Sequence, residues 1–188
     1  MIESLLAADA TLRDWIVQFN SPTVDAMMWF FSAIGYFGGI WAVIAIVIAA
    51  WAPRLRPIAL QVLVALLLTQ GVVDLAVKPF VARPRPFVTT VTSRVVGHYR
   101  PPTYSFPSGH AALSFAAATV LAFGVPRLKA VWLALAALVA FSRVYIGVHY
   151  PLDVTCGALL GVAVGILVSG GRAWYSRGSF FAVLDVPR

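Results

Sequence analysis

Apolar runs of roughly bilayer length dominate this chain, and they decide its class before any single residue does. A helix that spans the hydrocarbon core takes about 20 mostly apolar residues. Five segments qualify: residues 34–51, 58–77, 108–125, 130–147 and 152–168. Charged residues make up 11% of the chain, where a soluble domain carries about a quarter. That is too little charge to cover a water-facing surface. The expectation is an all-α integral membrane protein with about five transmembrane helices in a bundle. Pro53 and Pro57 bracket the first connection, Pro126 turns the chain after the third span, and Pro151 separates the last two.

The first 20 residues read differently. Leu5, Leu6, Leu12, Trp15, Ile16 and Phe19 recur at helical spacing, with Glu3, Asp9, Arg13 and Asp14 between them. This pattern predicts an N-terminal amphipathic helix at the membrane interface. It lacks the basic start and small-residue cleavage site of a signal peptide. Residues 22–31 read as a second short helix leading into the first span, with a sixth span as the alternative. The whole chain, 1–188, forms one membrane domain in this reading: interfacial helices over 1–33, a transmembrane catalytic core over 34–170, and a cytoplasmic tail over 171–188.

The formal charge is +7, from 14 Lys and Arg against 7 acids. On a soluble protein such an excess points to nucleic acid. Here the cations lie in loops and near a few polar clusters, so the bilayer and a phosphorylated lipid are the expected partners and nucleic acid is not. Five spans put Arg54, Arg56, Arg127 and Lys129 on the same side as the tail with Arg172, Arg177 and Arg188. Raw Lys and Arg counts tie between the two sides. Without Lys78, Arg85 and Arg143, which the polar clusters need anyway, the tail side has more, and the positive-inside tendency makes it cytoplasmic. The expected location is the cell (inner) membrane, with the clusters facing the extracytoplasmic side. Cys156 stands alone, and Val162 takes the place of the arginine that a Cys-x5-Arg phosphatase loop requires, so a buried small thiol is expected.

Three polar clusters sit at the ends of the oily segments. Lys78 ends the second span, and Gln70, Asp74 and Lys78 repeat at four-residue steps, a polar stripe that favours an Asp74–Lys78 ion pair. Pro79, Pro84 and Pro86 are expected to stop the helix and stiffen the segment that presents Arg83 and Arg85. A guanidinium can grip two phosphate oxygens at once. Ser108 is a good N-cap for the third span, and Gly109 lets an anion approach the backbone where the helix dipole is positive. His110 follows in the first turn. Arg143 lies near the end of span four, His149 in the next turn, and Asp153 in the first turn of the last helix. There Asp153 can accept the second ring N–H of His149 and fix its tautomer, as an orienting carboxylate does in a hydrolase triad. Even numbers of crossings return the chain to one membrane face, so these clusters can meet.

The spacings are K-x6-R-P from Lys78 to Pro86, P-S-G-H from Pro107 to His110, and S-R-x5-H-x3-D from Ser142 to Asp153. On these motifs the chain resembles the type 2 phosphatidic acid phosphatase superfamily, small membrane lipid phosphatases included. The resemblance implies that His149 is the nucleophile, that Asp153 orients it, and that His110 is the general acid and then the base. It implies that Lys78, Arg85, Arg143, Ser108 and the Gly109 N–H hold the phosphate, with no metal and no other cofactor. Arg83 is out of register with the motif and is expected to stand behind these residues.

The implied reaction is hydrolysis of a lipid phosphate monoester or diphosphate, with polyprenyl (undecaprenyl) diphosphate first among substrates. Phosphatidylglycerol phosphate, phosphatidic acid and a lipid A phosphate are alternatives. Vanadium haloperoxidases share such a pocket but are large soluble proteins. A non-catalytic lipid-phosphate binding or transport module would be expected to have lost His110, His149 or Asp153. The loop over 87–106 carries Arg94, His98 and Arg100 and no acid. Arg94 and Arg100 are expected to contact a second phosphate or an anionic headgroup, while Tyr99 and Tyr104 rest at headgroup level.

Overall fold

The computed structural model describes residues 2–19, 21–89, 94–97 and 100–170, and the regular elements among them are all helical. In chain order they are α1 (Ile2–Gln18), α2 (Pro22–Ile34), α3 (Gly39–Trp51), α4 (Arg56–Gly71), the short α5 (Lys78–Val81) and α6 (Pro86–Thr89), α7 (Gly109–Gly124), α8 (Lys129–Tyr145) and α9 (Pro151–Ser169). His98, Tyr99 and the tail carrying Arg172, Arg177 and Arg188 lie outside the described residues.

The chain is an all-α integral membrane protein. Three stretches, Pro53–Thr89, Pro126–Tyr145 and Pro151–Ser169, are long and apolar enough to cross a bilayer, and α2 with α3 makes a fourth as a span bent by 51°. The third expected span, α7, is apolar but has 16 residues. That is about 24 Å of helix, short of a core about 30 Å thick. It runs buried in the centre of the bundle, against α4, α8 and α9.

Two boundaries differ from expectation for local reasons. The first span does not begin at Ile34: a break at Gly35–Gly38, where Phe37 holds a φ of 48°, ends α2 and restarts the helix at Gly39. Pro79 does not end the second span either. The helix widens into a π turn over Val72–Val77 and then continues through Pro79 to Val81. A proline ring would strike the carbonyl four residues back in a regular helix, and the wider turn relieves that clash. The stop comes at Ala82, which adopts a left-handed φ of 48°.

Lipid tails are as apolar as leucine, so helices associate in a bilayer through close packing and hydrogen bonds between them. α9 presents Gly157, Gly161 and Gly165 to α7 at four-residue steps. A Cβ on Gly161 would lie 2.1 Å from the Ala112 carbonyl oxygen, and one on Gly157 would lie 2.6 Å from that of Ser108. Alanines 112 and 116 answer from α7. α3 joins the same core through the buried Trp41, whose indole N–H donates to Ser114 Oγ at 3.0 Å. Cys156, expected to be buried, is only half-buried on α9.

α1 exposes large apolar side chains and buries two charged ones. Leu5, Leu12, Trp15 and Phe19 are exposed, while Asp9, Arg13 and Val17 face inward and are buried. Glu3, Asp14 and Gln18 are exposed as well, and a face that mixes large apolar with charged side chains suits a helix at the membrane interface. The far end of the bundle carries Arg54, Arg56, Arg127 and Lys129, around the 3₁₀ turns before α4 and α8. The end of α5, the starts of α7 and α9 and the end of α8 gather at the opposite end.

Candidate active site

At that opposite end a cavity of about 250 Å³ is walled by Lys78, Arg85, Gly109, His110, Arg143 and His149. Gln70, Asp74, Leu113, Tyr36, Phe37 and the loop residues Pro101, Pro102 and Thr103 complete it. The three motifs therefore meet, although they lie on five different elements.

His149 sits in the turn between α8 and α9. Gly147, with a φ of +84°, reverses the chain there. The Arg143 carbonyl accepts the His149 N–H at 3.2 Å, which pins the turn to the end of α8. The ring is 2% exposed. Its Nε2 faces Arg85 Nη1 at 3.0 Å, and its Nδ1 lies 3.4 Å from Asp153 Oδ2, ion-pair range but longer than a hydrogen bond. Burial, then Arg85, Arg143 and Lys78, hold the imidazole well below its ordinary value of 6.5, so it is neutral at pH 7.

Asp153 is fully buried and does not touch the cavity wall. Oδ2 accepts the Tyr150 N–H at 3.0 Å and Oδ1 accepts Arg83 Nη1 at 2.7 Å. Arg83 thus stands behind the site, as its register implies, and its second arm reaches Asp9 of α1 at 2.8 Å.

Arg85 is 4% exposed, and its donors are all engaged. Nε donates to the Thr103 carbonyl at 2.6 Å, and Nη2 donates to Thr103 Oγ1 and the Tyr104 carbonyl at 3.1 and 3.2 Å. Nη1 donates to the Val148 carbonyl and to His149. The loop after α6 is therefore the cradle of this guanidinium. Lys78 Nζ bonds Asp74 Oδ1 at 2.7 Å, the expected pair, and Gln70 donates to the other oxygen of Asp74.

α2 supplies partners that the motifs do not announce. Ser32 Oγ accepts from Arg143 Nη1, and the Ser32 backbone hydrogen-bonds the His110 ring. His110 Nε2 is buried on the cavity side without a protein partner. Arginine at this depth is expensive unless paired, and Ser32 is one of the partners that hold Arg143 at the cavity wall.

Three expected phosphate or substrate contacts are placed elsewhere. Ser108 caps α7, accepting the Ala111 N–H at 3.5 Å, while its own N–H donates to the Asp153 carbonyl at 2.9 Å. It is absent from the cavity wall because the cap and α9 claim it. Arg94 does not reach the cavity: Asp25 neutralises it at 2.5 Å, and the Val17 carbonyl takes its other arm. Arg100 stacks over the Phe87 ring, 5.3 Å from its centroid, also off the wall. The sequence reading missed Asp9, Ser32 and Thr103. Only Asp9 left a trace, as half of the Asp9/Arg13 pair four residues apart on an oily helix.

The family profile described as PAP2 superfamily matches residues 58–176, which takes in all three motifs. Undecaprenyl-diphosphatase from Sulfolobus acidocaldarius is 45% identical over 71 residues, 36% of this chain and 34% of that protein. Decaprenylphosphoryl-5-phosphoribose phosphatase from Mycobacterium tuberculosis is 39% identical over 101 residues, 51% of this chain and 53% of that protein. The chain thus spans about a third to a half of the length of these curated relatives. The crystal structure of Aquifex aeolicus LpxE superposes with a TM-score of 0.67 at 30% identity, over 84% of this chain and 92% of that one. The PAP2-type phosphatidylglycerolphosphate phosphatase from Bacillus subtilis shares the fold, with a TM-score of 0.71 at 23% identity over 89% of this chain and 85% of that one. On the match that covers most of the bundle, the chain belongs to the PAP2 superfamily.

Proposed function

We propose that this chain is a membrane lipid phosphatase that works through a phosphohistidine on His149. The observation that carries the reading is the cavity in which His149 and His110 face a common space ringed by Lys78, Arg85 and Arg143. In the first step His149 Nε2 forms a bond to phosphorus as the bond to the lipid oxygen breaks, and His110 gives that oxygen its proton. In the second, His110 takes a proton from water, the water oxygen attacks phosphorus, and phosphate leaves His149. Phosphoryl transfer asks a protein mainly for positioning and charge. The three cations and the α7 N-terminus at Gly109 supply both, and no metal or other cofactor is needed.

A polyprenyl diphosphate such as undecaprenyl diphosphate is the first substrate. Relatives from Sulfolobus acidocaldarius, Bacillus subtilis and Escherichia coli carry that activity in their names. A monoester such as phosphatidylglycerol phosphate or phosphatidic acid is the second reading. What favours it is Arg94, the cation expected for a second phosphate, which is neutralised by Asp25. The site faces the extracytoplasmic side of the cell membrane in this proposal, since Arg54, Arg56, Arg127 and Lys129 mark the opposite end. The catalytic unit, proposed from sequence as 34–170, gains the N-terminal helices, because Asp9 and Ser32 bond to site residues.

The test is a phosphate-release assay on the purified chain with undecaprenyl diphosphate, phosphatidylglycerol phosphate, phosphatidic acid and lipid A phosphate. Release from at least one, abolished in a folded His149→Ala variant, is expected. No release from any, with binding retained, would leave a lipid-phosphate binding module instead.

A further inference from the structure

α1 lies outside the residues that the family profile matches, yet one of its side chains is bonded into the site. Asp9 is 5% exposed, while Leu5, Leu12 and Trp15 of the same helix are exposed. Its Oδ2 accepts Arg83 Nη2 at 2.8 Å, and its Oδ1 accepts the backbone N–H of Leu152 at 2.9 Å. Arg83 Nη1 donates to Asp153 Oδ1 at 2.7 Å, and its guanidinium rests 3.9 Å over the Tyr150 ring. From Asp153 Oδ2 it is 3.4 Å to His149 Nδ1. A continuous line of charged groups runs from α1 to the imidazole.

The arithmetic of charge along this line is unusual. One guanidinium is shared between two buried carboxylates, so neither carboxylate is fully neutralised. Buried ion pairs are costly to break, because the group left behind keeps its charge in a poor solvent. If Arg83 answered to Asp153 alone, Asp153 would have less negative charge to offer the imidazole. By drawing on Arg83, Asp9 leaves Asp153 able to balance the positive charge that develops on His149 as Nε2 attacks. The bond to the Leu152 N–H fixes the first turn of α9 one residue before Asp153. We infer that Asp9 is a positioning residue of the active site, which acts through Arg83 and the start of α9 to set the place and effective charge of Asp153 against His149. This rests on the reading of His149 as the reacting group.

The experiment uses the full chain with Asp9→Asn, Asp9→Glu and, as a control on the same helix, the exposed Glu3→Gln. Asp9→Asn is expected to lower kcat by about tenfold or more with KM changed less than about twofold, the pattern of a lost transition-state interaction. Glu3→Gln leaves both unchanged, and Asp9→Glu recovers part of the loss. The titration of His149, followed by NMR among only three histidines, moves to lower pH in Asp9→Asn, because Arg83 then draws more fully on Asp153 and leaves it less charge for the ring. On an Asp153→Asn background, Asp9→Asn has little further effect on kcat, as residues acting in one chain are not additive. An unchanged kcat, an unmoved titration, or the same fold-loss in both backgrounds overturns the inference and leaves Asp9 as a fastener of α1. If Asp9→Asn does not fold, Asp9→Glu carries the test, since it keeps the charge but displaces it, and wild-type kcat and titration there overturn the inference equally. His149→Ala retaining activity would bring down the phosphohistidine reading itself, a result distinct from any of these.

Discussion

Arg85 donates from Nη1 to Nε2 of His149 across 3.0 Å. A guanidinium has no acceptor, so Nε2 must be the unprotonated nitrogen and the ring proton sits on Nδ1, the side of Asp153. The bond therefore selects the tautomer that a nucleophile at Nε2 requires. In the proposed mechanism it must also open before Nε2 can meet phosphorus. The remaining donors of Arg85, held by Thr103, Tyr104 and Val148, keep the guanidinium in place when it does.

Arg85→Lys should therefore be far from conservative. Lysine keeps the charge but loses the planar fork that binds the loop carbonyls and the imidazole together. The expected result is a fall in kcat/KM of about 100-fold, equivalent to ~2.7 kcal/mol of barrier. A loss under about tenfold would show that a point charge at this position is enough.

The protonation of His149 has a direction that can be measured. Burial and the cations Arg85, Arg143 and Lys78 depress its pKa in the folded chain below 6.5. Between that depressed value and 6.5 the unfolded chain binds the extra proton, so the stability due to neutral His149 is intact above 6.5 and falls as pH drops through this window. NMR should find His149 neutral at pH 7 and titrating only below 6.5. A ring that titrates at or above 6.5 would mean that the cations do not face it as described.

Much of the candidate site was legible because its residues fall at the spacings of the motifs that resemble the PAP2 superfamily. Lys78, Arg85, His110, Arg143 and His149 were readable for that reason, and the cavity gathers them. The helices were legible from apolar length, apart from the break at Phe37 and the π turn before Pro79, which depend on backbone conformations with no period in the sequence. Hydrogen bonds formed across long separations left almost no trace. Ser32, Thr103 and Asp9 are ordinary residues in ordinary places until folding brings them to Arg143, Arg85 and Arg83. Arg94 misled in the opposite way. A loop cation with no acid nearby in sequence looked available, but Asp25 on α2 reaches it in space.

Asp153→Asn tests the carboxylate separately from the fold. The amide can still accept the Tyr150 N–H, but it cannot balance charge on Arg83 and the imidazole together. A folded protein with kcat reduced by more than about tenfold, ~1.4 kcal/mol or more, is expected. A smaller effect would make Asp153 chiefly a cap for α9.

Side-chain cations and the α7 N-terminus hold the phosphate in the proposed mechanism, so turnover should persist in excess chelator. Vanadate, which mimics phosphate, should compete with substrate for the same cavity. Complete loss of activity in chelator, restored by a divalent ion, would overturn the metal-free mechanism.

The glycine stripe of α9 makes a prediction about the scaffold that contrasts two identical substitutions. Gly→Ala in a helix normally helps by about 0.5–1 kcal/mol, since alanine has less backbone freedom to lose. At Gly71, in α4, a new Cβ would meet nothing within 4 Å, and Gly71→Ala should hold or raise the unfolding temperature. At Gly161 the same methyl would lie 2.1 Å from the Ala112 carbonyl oxygen and 2.9 Å from the Ala116 nitrogen. Those are backbone atoms that no rotamer change can clear, so α7 and α9 must part. Overpacking of this kind costs about 1–3 kcal/mol, at the upper end when backbone must move. Activity should fall as well, because α7 carries His110 while α9 carries Asp153, and the Ser108 N–H to Asp153 carbonyl bond joins them. Thermal unfolding in detergent, with phosphate release measured on the folded fraction, separates the two effects. If Gly161→Ala were as stable and active as Gly71→Ala, α7 and α9 would not be in the close contact that places the site.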